Sequence, residues 1–404
     1  MKIGIVVDNE LNNDIRVLRE IGILKEQGNE IYVLCFSFSE SYKDPIEGIH
    51  ITRIKIAKKL KDILFFLLNT IPLYEWLWAR EIKRFIIHNQ LEYLHVHDLY
   101  MSRAAYYGIK KTDIKVPMIL DLHENYPFTV CTYNWTKGFL RSLISKPEIW
   151  KKKERRYLGY ADRIIVLSKD FSDALSEKYP ELPASHFTVL PNVPDLSLPE
   201  YKNKGHVKNP FKQAFPVIFY YGVIAERRGI FDSLNVFINL VKEGYPVNFL
   251  LIGPVDKKDN PLFTKLTGSE ILKDRIHHIP WIESKEFPAY LGICDICLAP
   301  FHKNPQHESG VANKIYDYML GGKPIIASNC KPQQVLIEKH KCGLIFKNQA
   351  ELHDAIIKLL NDKPLREEMG ENGRKAVLKE YNSETIKENL ISLYNELYLY
   401  HRTL

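Results

Sequence analysis

The chain has little cysteine, no long apolar run and no strong excess of one charge. Six cysteines in 404 residues do not make a disulfide scaffold. Cys294 and Cys297 have a redox or zinc spacing, but no second pair accompanies them, and ICDICLAP reads as a core strand. The best candidate for a membrane span, Ile63–Leu68, is six residues long, far short of the roughly 18 that a span needs. MKIGIVVDNE lacks the apolar length and the small-residue cleavage site of a secretion signal, so the expected location is cytoplasmic and reducing. Lys and Arg number 56 against 49 Asp and Glu, a net charge of +7. Neither half is a polycation, and nucleic acid is not an expected partner. Asp-x-Asp is absent, which removes the usual sign of a divalent ion bridging a diphosphate. Hydrophobic residues at 45% and charged residues at 26% argue against long disorder.

What is present is strand–helix alternation. Lys2–Val7 is a short β-branched run and reads as a buried strand. After a polar loop, Ile15, Leu18, Ile21, Ile23 and Leu24 recur near helical spacing, and Gly28 ends that helix. Ile31–Phe36 is the next strand, so the unit is a right-handed parallel crossover. Tyr93–Val96, Pro117–Leu120, Arg163–Leu167 and Thr188–Leu190 continue the series. Between Asp195 and Pro216 the pattern lapses, with three prolines, one glycine and six charges, a composition that suits a linker. Alternation restarts with Val217–Tyr221, Val247–Ile252, Asp295–Ala299, Pro324–Ala327 and Leu344–Phe346. The length suggests two or three domains. Two consecutive α/β units predict two doubly wound sheets whose strand-end loops face a cleft between them.

Three stretches carry chemistry. In PQHESGVANKIYDYMLGGKPIIAS, Ser309–Ala312 reads as a turn feeding a helix, with Lys314 and Asp317 on one face. Exposed amides and a first-turn lysine suit an anion, and a carboxylate one turn along suits a ribose diol. An ordinary exposed Lys–Asp pair is the alternative. In FYYGVIAERRGI, a strand ends at Gly222 and a loop presents Arg227 and Arg228. A guanidinium fork there suits a diphosphate, and a solvated Arg pair is the alternative. In ILDLHENYP, a strand delivers Asp121, His123 and Glu124 to a loop. His123 there suits a reacting oxygen or a substrate hydroxyl, and a histidine satisfied by local backbone is the alternative. The preceding strand ends in a similar cluster, LHVHD.

Taken in order, these elements resemble glycosyltransferase family 4, the large retaining family with the GT-B fold. The resemblance rests on NDIRVLREIGILKEQGNEIYVL, Asp121-Leu122-His123-Glu124, ADRIIVLSKDFSDAL ending its strand at Ser168, VLPNVPD with Asn192, Arg228-Gly229 and NKIYDYMLGGKPIIAS. It implies two Rossmann-like domains, an acceptor domain at 1–195 and a nucleotide-sugar domain at 214–382. A linker at 196–213 would join them, and a C-terminal helix at 383–404 would cross back to the first. It implies that Arg228 and Lys314 hold the donor diphosphate, assisted by the amides of Gly310 and Val311. Asp317 matches the second acid of the E-x7-E motif, which binds ribose. His123 would lie near sugar and acceptor, and Trp281 and Ile282 near the base. Two departures stand out. Ser309 occupies the first acid position of E-x7-E, with Glu308 beside it, and the loop Asn9–Asp14 lacks glycines.

The expected function is therefore retaining, metal-independent glycosyl transfer from a nucleotide-diphosphate sugar, with no cofactor. The acceptor is a glycan or lipid-linked glycan in polysaccharide biosynthesis. Rivals are a nucleotide-sugar epimerase or hydrolase of the same fold, and a non-catalytic GT-B binding module. Arg53–Arg84 carries eight basic and three acidic residues among apolar ones, and Lys137–Arg156 eight and two. These stretches suit peripheral contact with an anionic membrane surface; solvated helix faces over a core are the alternative.

Overall fold

The computed structural model describes residues 1–38, 44–194, 196 and 205–402. Most of the expected linker, 197–204, lies outside the described residues, as does Asp195. Backbone contacts divide the chain into two compact units, Met1–Pro191 with Ile386–Leu404, and Asn192–Thr385.

The first unit is built on seven parallel strands: β1 (Lys2–Val7), β2 (Glu30–Ser37), β3 (His50–Lys55), β4 (Tyr93–His97), β5 (Met118–Asp121), β6 (Arg163–Val166) and β7 (Phe187–Val189). Their order is β3-β2-β1-β4-β5-β6-β7. Every residue of β4 and β5 is buried, as expected for central strands with both faces covered. The chain reverses winding between β1 and β4, so the loops after β1, β4 and β5 open around one switch point. In the register, His97 stands beside Asp121, which sets the two titratable ends next to each other.

The first helix, Ile15–Glu26, starts where the Asp14 carboxylate accepts from the Val17 amide at 3.1 Å. Its buried face differs from the apolar period read in the sequence. Ile15 is 76% exposed, while Arg16 and Glu20 are buried with Val17, Ile21, Ile23 and Leu24. The polar pair turns inward because Asp121 at the end of β5 supplies a partner for the guanidinium, and the backbone follows that bond rather than the burial of Ile15.

The second unit has six parallel strands: β8 (Val217–Tyr221), β9 (Asn248–Ile252), β10 (Ile276–Ile279), β11 (Ile296–Ala299), β12 (Ile325–Ser328) and β13 (Gly343–Phe346), in the order β10-β9-β8-β11-β12-β13. Its switch point lies between β8 and β11. Two strands that the sequence pattern passed over, β3 and β10, are both sheet edges with mixed exposure along HITRIK and IHHI. A half-solvated edge carries no continuous apolar run. Cys294 and Cys297 are buried, unoxidised core thiols, Cys297 within β11.

After β8 the chain makes one tight turn that controls the site. Gly229 has φ +70, and a Cβ there would stand 1.7 Å from the Pro300 carbonyl oxygen. Only a residue without a side chain brings the Arg228 loop this close to the end of β11. Gly229→Ala should therefore destabilise the protein by at least about 2 kcal/mol, read as a lower urea midpoint. An unchanged midpoint would show that the loop can move away without loss.

Candidate functional site

The helix Asn313–Leu320 follows β11 and buries Ile315, Tyr316, Tyr318 and Met319. Sinking that face into the second unit carries Lys314, in the first turn, under the surface with 9% exposure. Its ammonium lies 3.8 Å from the ring centre of Tyr220, at the end of β8, and 4.9 Å from that of Phe301, just past β11. The Arg228 guanidinium lies 5.4 Å from the same Phe301 ring. Aromatic faces soften the cost of burying cations but do not cancel it.

Neither cation has a carboxylate to balance it among the described residues. Lys314 Nζ and Arg228 Nε have no hydrogen-bond partner among the described residues. Burial first, and then the neighbouring Arg228 charge, hold Lys314 well below the usual lysine range. Burial likewise lowers Arg228. Arg227 behaves differently: it is half exposed and pairs with Asp256 at 3.0 Å. The two adjacent arginines thus divide, one to the surface and one to the site, a distinction that the sequence does not encode. Gly222, with φ +132, ends β8 beside this space, and a Cβ there would approach Lys314 Nζ to 3.3 Å. A buried ammonium and a half-buried guanidinium at a strand-end switch point, crowded by glycine backbone, suit an anion with several oxygens.

The other expected donor residues belong to the same unit. Gly310 and Val311 lie in the loop before the helix, and their amides have no acceptor among the described residues. Ser309 is buried, and its hydroxyl donates to the Gln306 carbonyl at 2.7 Å. That bond spends the Ser309 side chain on its own loop. Asp317 lies near Tyr221, whose hydroxyl titrates higher through burial first and that carboxylate second. Asp317 also lines a cavity with Phe287, Leu291, Leu320, Gly321 and Arg374. Trp281 is 72% exposed and Ile282 is buried, both just past β10. Tyr220, Phe301 and Arg374 were not singled out from the sequence. Aromatics on or beside an apolar strand look like core, and Arg374 is far away in the chain.

His123 belongs to the first unit, in the loop after β5. Its Nε2 stands 3.0 Å from His97 Nδ1 and 3.5 Å from Asp121 Oδ2. Burial opposes its charge, but Asp98 and Asp121 outweigh that and raise it to about 9. Among the described residues, Glu20, His95, His97 and Asp121 are the group with metal-ligating atoms gathered within 4.8 Å.

Two family models match the chain: Glycosyltransferase Family 4 over residues 16–198, and Glycosyl transferases group 1 over residues 202–376. The alpha-D-kanosaminyltransferase of Streptomyces kanamyceticus is 23% identical over 312 residues, 75% of this chain and 77% of the relative. The capsular polysaccharide biosynthesis glycosyltransferase CapM of Staphylococcus aureus is 28% identical over 190 residues, 44% of this chain and 46% of the relative. Among solved structures, Anabaena HepE in complex with UDP superimposes with a TM-score of 0.69 at 14% identity, covering 98% of this chain and 100% of that one. The fold is shared.

A site that keeps an uncompensated cation buried should weaken the empty protein. Lys314→Met should raise the melting temperature of the free protein by roughly 2–6 °C, as about 1–2 kcal/mol would in a unit of this size. A lower melting temperature in calorimetry would mean that Lys314 is a structural residue with a partner of its own.

Proposed function

The chain belongs to the family 4, group 1 glycosyltransferases and has the GT-B fold, and from that premise we propose that it moves a sugar from a nucleotide-diphosphate donor onto a glycan or lipid-linked glycan in polysaccharide assembly. The observation that carries the reading is a buried lysine, Lys314, and a half-buried arginine, Arg228, with no carboxylate partner among the described residues. A leaving nucleoside diphosphate gains negative charge as the glycosidic bond to it breaks. Fixed cations in a dry site stabilise that charge with little reorganisation. Filling the space with an anion also reverses the effect of Arg228 on Lys314 and favours its protonated form. The relatives named for kanosaminyl transfer and for capsular polysaccharide biosynthesis support the reaction class, and the UDP bound by HepE supports the donor class.

Each residue has a role under this reading. Arg228 and Lys314 hold the diphosphate, with the Gly310 and Val311 amides assisting. Asp317 accepts from the ribose hydroxyls, and the Trp281–Ile282 segment meets the base. Ser309, its hydroxyl turned to Gln306, leaves the donor sugar without the carboxylate that the family places there. His123 acts near sugar and acceptor. Transfer proceeds with retention by front-face attack, the leaving diphosphate taking the acceptor's proton, and needs no metal or cofactor. A silent binding module would carry the cost of a buried lysine beside a half-buried arginine without use for either, and an epimerase would need an acid–base set at the sugar.

A membrane-facing acceptor has support in the first unit. Phe139, Leu140 and Leu143 on the short helix Phe139–Ser145 are exposed, as are Ile63, Leu73 and Trp76. Asn69 Nδ2 donates to the Ser145 carbonyl at 2.8 Å, and Thr70 donates to Ile144, so the two segments meet. Exposed Lys58, Lys59, Lys137, Arg141 and Lys146 belong to the same segments. Such a face suits peripheral attachment to an anionic bilayer from the cytoplasmic side. No helix of the described residues is long and apolar enough to cross a membrane.

Lys314→Ala should cut transfer by roughly two to three orders of magnitude, and Asp317→Asn should mainly raise the donor Kd. Wild-type turnover in folded Lys314→Ala would remove it from the mechanism. In flotation assays, the chain should bind phosphatidylglycerol vesicles at low salt, and Phe139→Glu with Leu143→Glu should abolish binding. Equal binding of that variant would exclude this face.

A further inference from the structure

Beneath His123 lies a buried set of charged and titratable groups that the transfer reaction, as proposed, does not use. Arg16 forks onto Asp121, Nε to Oδ2 at 2.8 Å and Nη2 to Oδ1 at 2.9 Å, and donates Nη1 to the Leu190 carbonyl at 3.0 Å. The same guanidinium stands 3.2 Å from Glu20 Oε1. His97 lies between the two carboxylates. Its Nδ1 is 3.0 Å from His123 Nε2 and 3.4 Å from Asp121 Oδ2, and its Nε2 faces Glu20 Oε2 at 4.0 Å. His95 Nε2 faces the same Glu20 oxygen at 3.7 Å, while its Nδ1 pairs with the Tyr394 hydroxyl at 3.1 Å. All of these are buried except His123, whose side chain is 22% exposed.

A metal ion does not explain the cluster. The rings of His95 and His97 are stacked, 4.7 Å apart and 14° from parallel. Their in-plane lone pairs run side by side instead of converging on one ion. Both Asp121 oxygens already accept from Arg16. What remains is a question of protons. A nitrogen–nitrogen contact of 3.0 Å between His97 and His123 requires one proton between them. Asp121 stays anionic: burial raises it, but Arg16 and then His123 hold it well below the carboxylate range. Asp98 faces His123 from the end of β4, and Glu124 adjoins it in the loop. With those carboxylates around it, His123 carries the proton on Nε2 and donates to His97 Nδ1. His97 must then hold its own proton on Nε2, the edge turned to Glu20. His123 Nδ1 has no partner among the described residues.

We propose that His97 is a positioning residue: as the Nε2–H tautomer, with that edge turned to the Glu20 carboxyl 4.0 Å away and not hydrogen-bonded to it, it accepts the inner N–H of His123 and leaves the outer Nδ1–H as a charged donor for a substrate oxygen. His123 so held cannot serve as a general base. The inference rests on the transferase reading only for what Nδ1–H meets, an oxygen of the donor sugar or acceptor.

Nitrogen-15 NMR of histidine-labelled full-length protein tests the tautomers without any substrate. At pH 7, His123 should be doubly protonated and His97 should be the Nε2–H tautomer. His123 should lose its proton only well above the roughly 6.5 of a free imidazole. His97→Leu should lower that titration by about one pH unit or more, and His97→Asn, whose carboxamide oxygen can replace Nδ1 as acceptor, should restore it. In transfer assays, kcat/KM should fall as pH rises through the His123 titration, because the donor is present only below it. Folded His97→Leu should lose about 10- to 100-fold, the usual scale for removing a supporting group, and its alkaline limb should shift to match the NMR. A neutral wild-type His123 at pH 7, or a His97 Nδ1–H tautomer, overturns the proposal, as does a titration unmoved in His97→Leu. If the chain transfers no sugar at all, the NMR arm still decides the tautomers, so the two readings fail separately.

Discussion

A buried lysine and a half-buried arginine without a counter-ion among the described residues are the constraint on which the second unit depends. Leaving Lys314 and Arg228 there runs against the tendency of a fold to pair or expose its charges. The surrounding structure supports the arrangement rather than relieving it. Tyr220 and Phe301 offer ring faces, Gly222 and Gly229 let backbone close in, and the apolar face of the Lys314 helix fixes its depth. Such a site is at its least favourable when empty, and filling it with a polyanion supplies the missing charge. That is what the departure of a nucleoside diphosphate requires, since the charge to be stabilised is greatest as the bond breaks.

The first unit solves a different electrostatic problem. Its charges are balanced within the protein: buried Arg16 against Asp121, and half-buried His123 against Asp98 and Asp121. The balance makes a histidine behave as a fixed donor instead of a proton acceptor. One unit thus presents positive charge ready for a leaving group. The other presents an oriented N–H whose charge is already compensated. Both sets sit at carboxyl ends of central strands flanking a switch point, where parallel strands deliver their loops together.

Much of this was legible in the amino-acid order. Central strands such as β1, β8 and β11 are short apolar runs with no other reading, and the Lys314–Asp317 helix announces itself by its preceding turn and following glycines. Three things were hidden. β3 and β10 are edges, and their solvated faces interrupt the apolar run that marks a strand. The burial of Arg16 over Ile15 depends on Asp121, more than a hundred residues away, and no local period records such a partner. Likewise, nothing in the order Arg227-Arg228 says which side chain turns inward. Asp256 makes that choice by holding the first at the surface.

Under the proposed function, the second unit neutralises a diphosphate with its own side chains. Calorimetric titration with inorganic pyrophosphate, in the presence of a chelator and across a range of salt, tests it without assuming any base or sugar. Saturable binding of one pyrophosphate per chain, weakening as salt rises, is expected. Absence of binding until a divalent ion is added, or binding indifferent to replacement of both Lys314 and Arg228 by methionine, would contradict it.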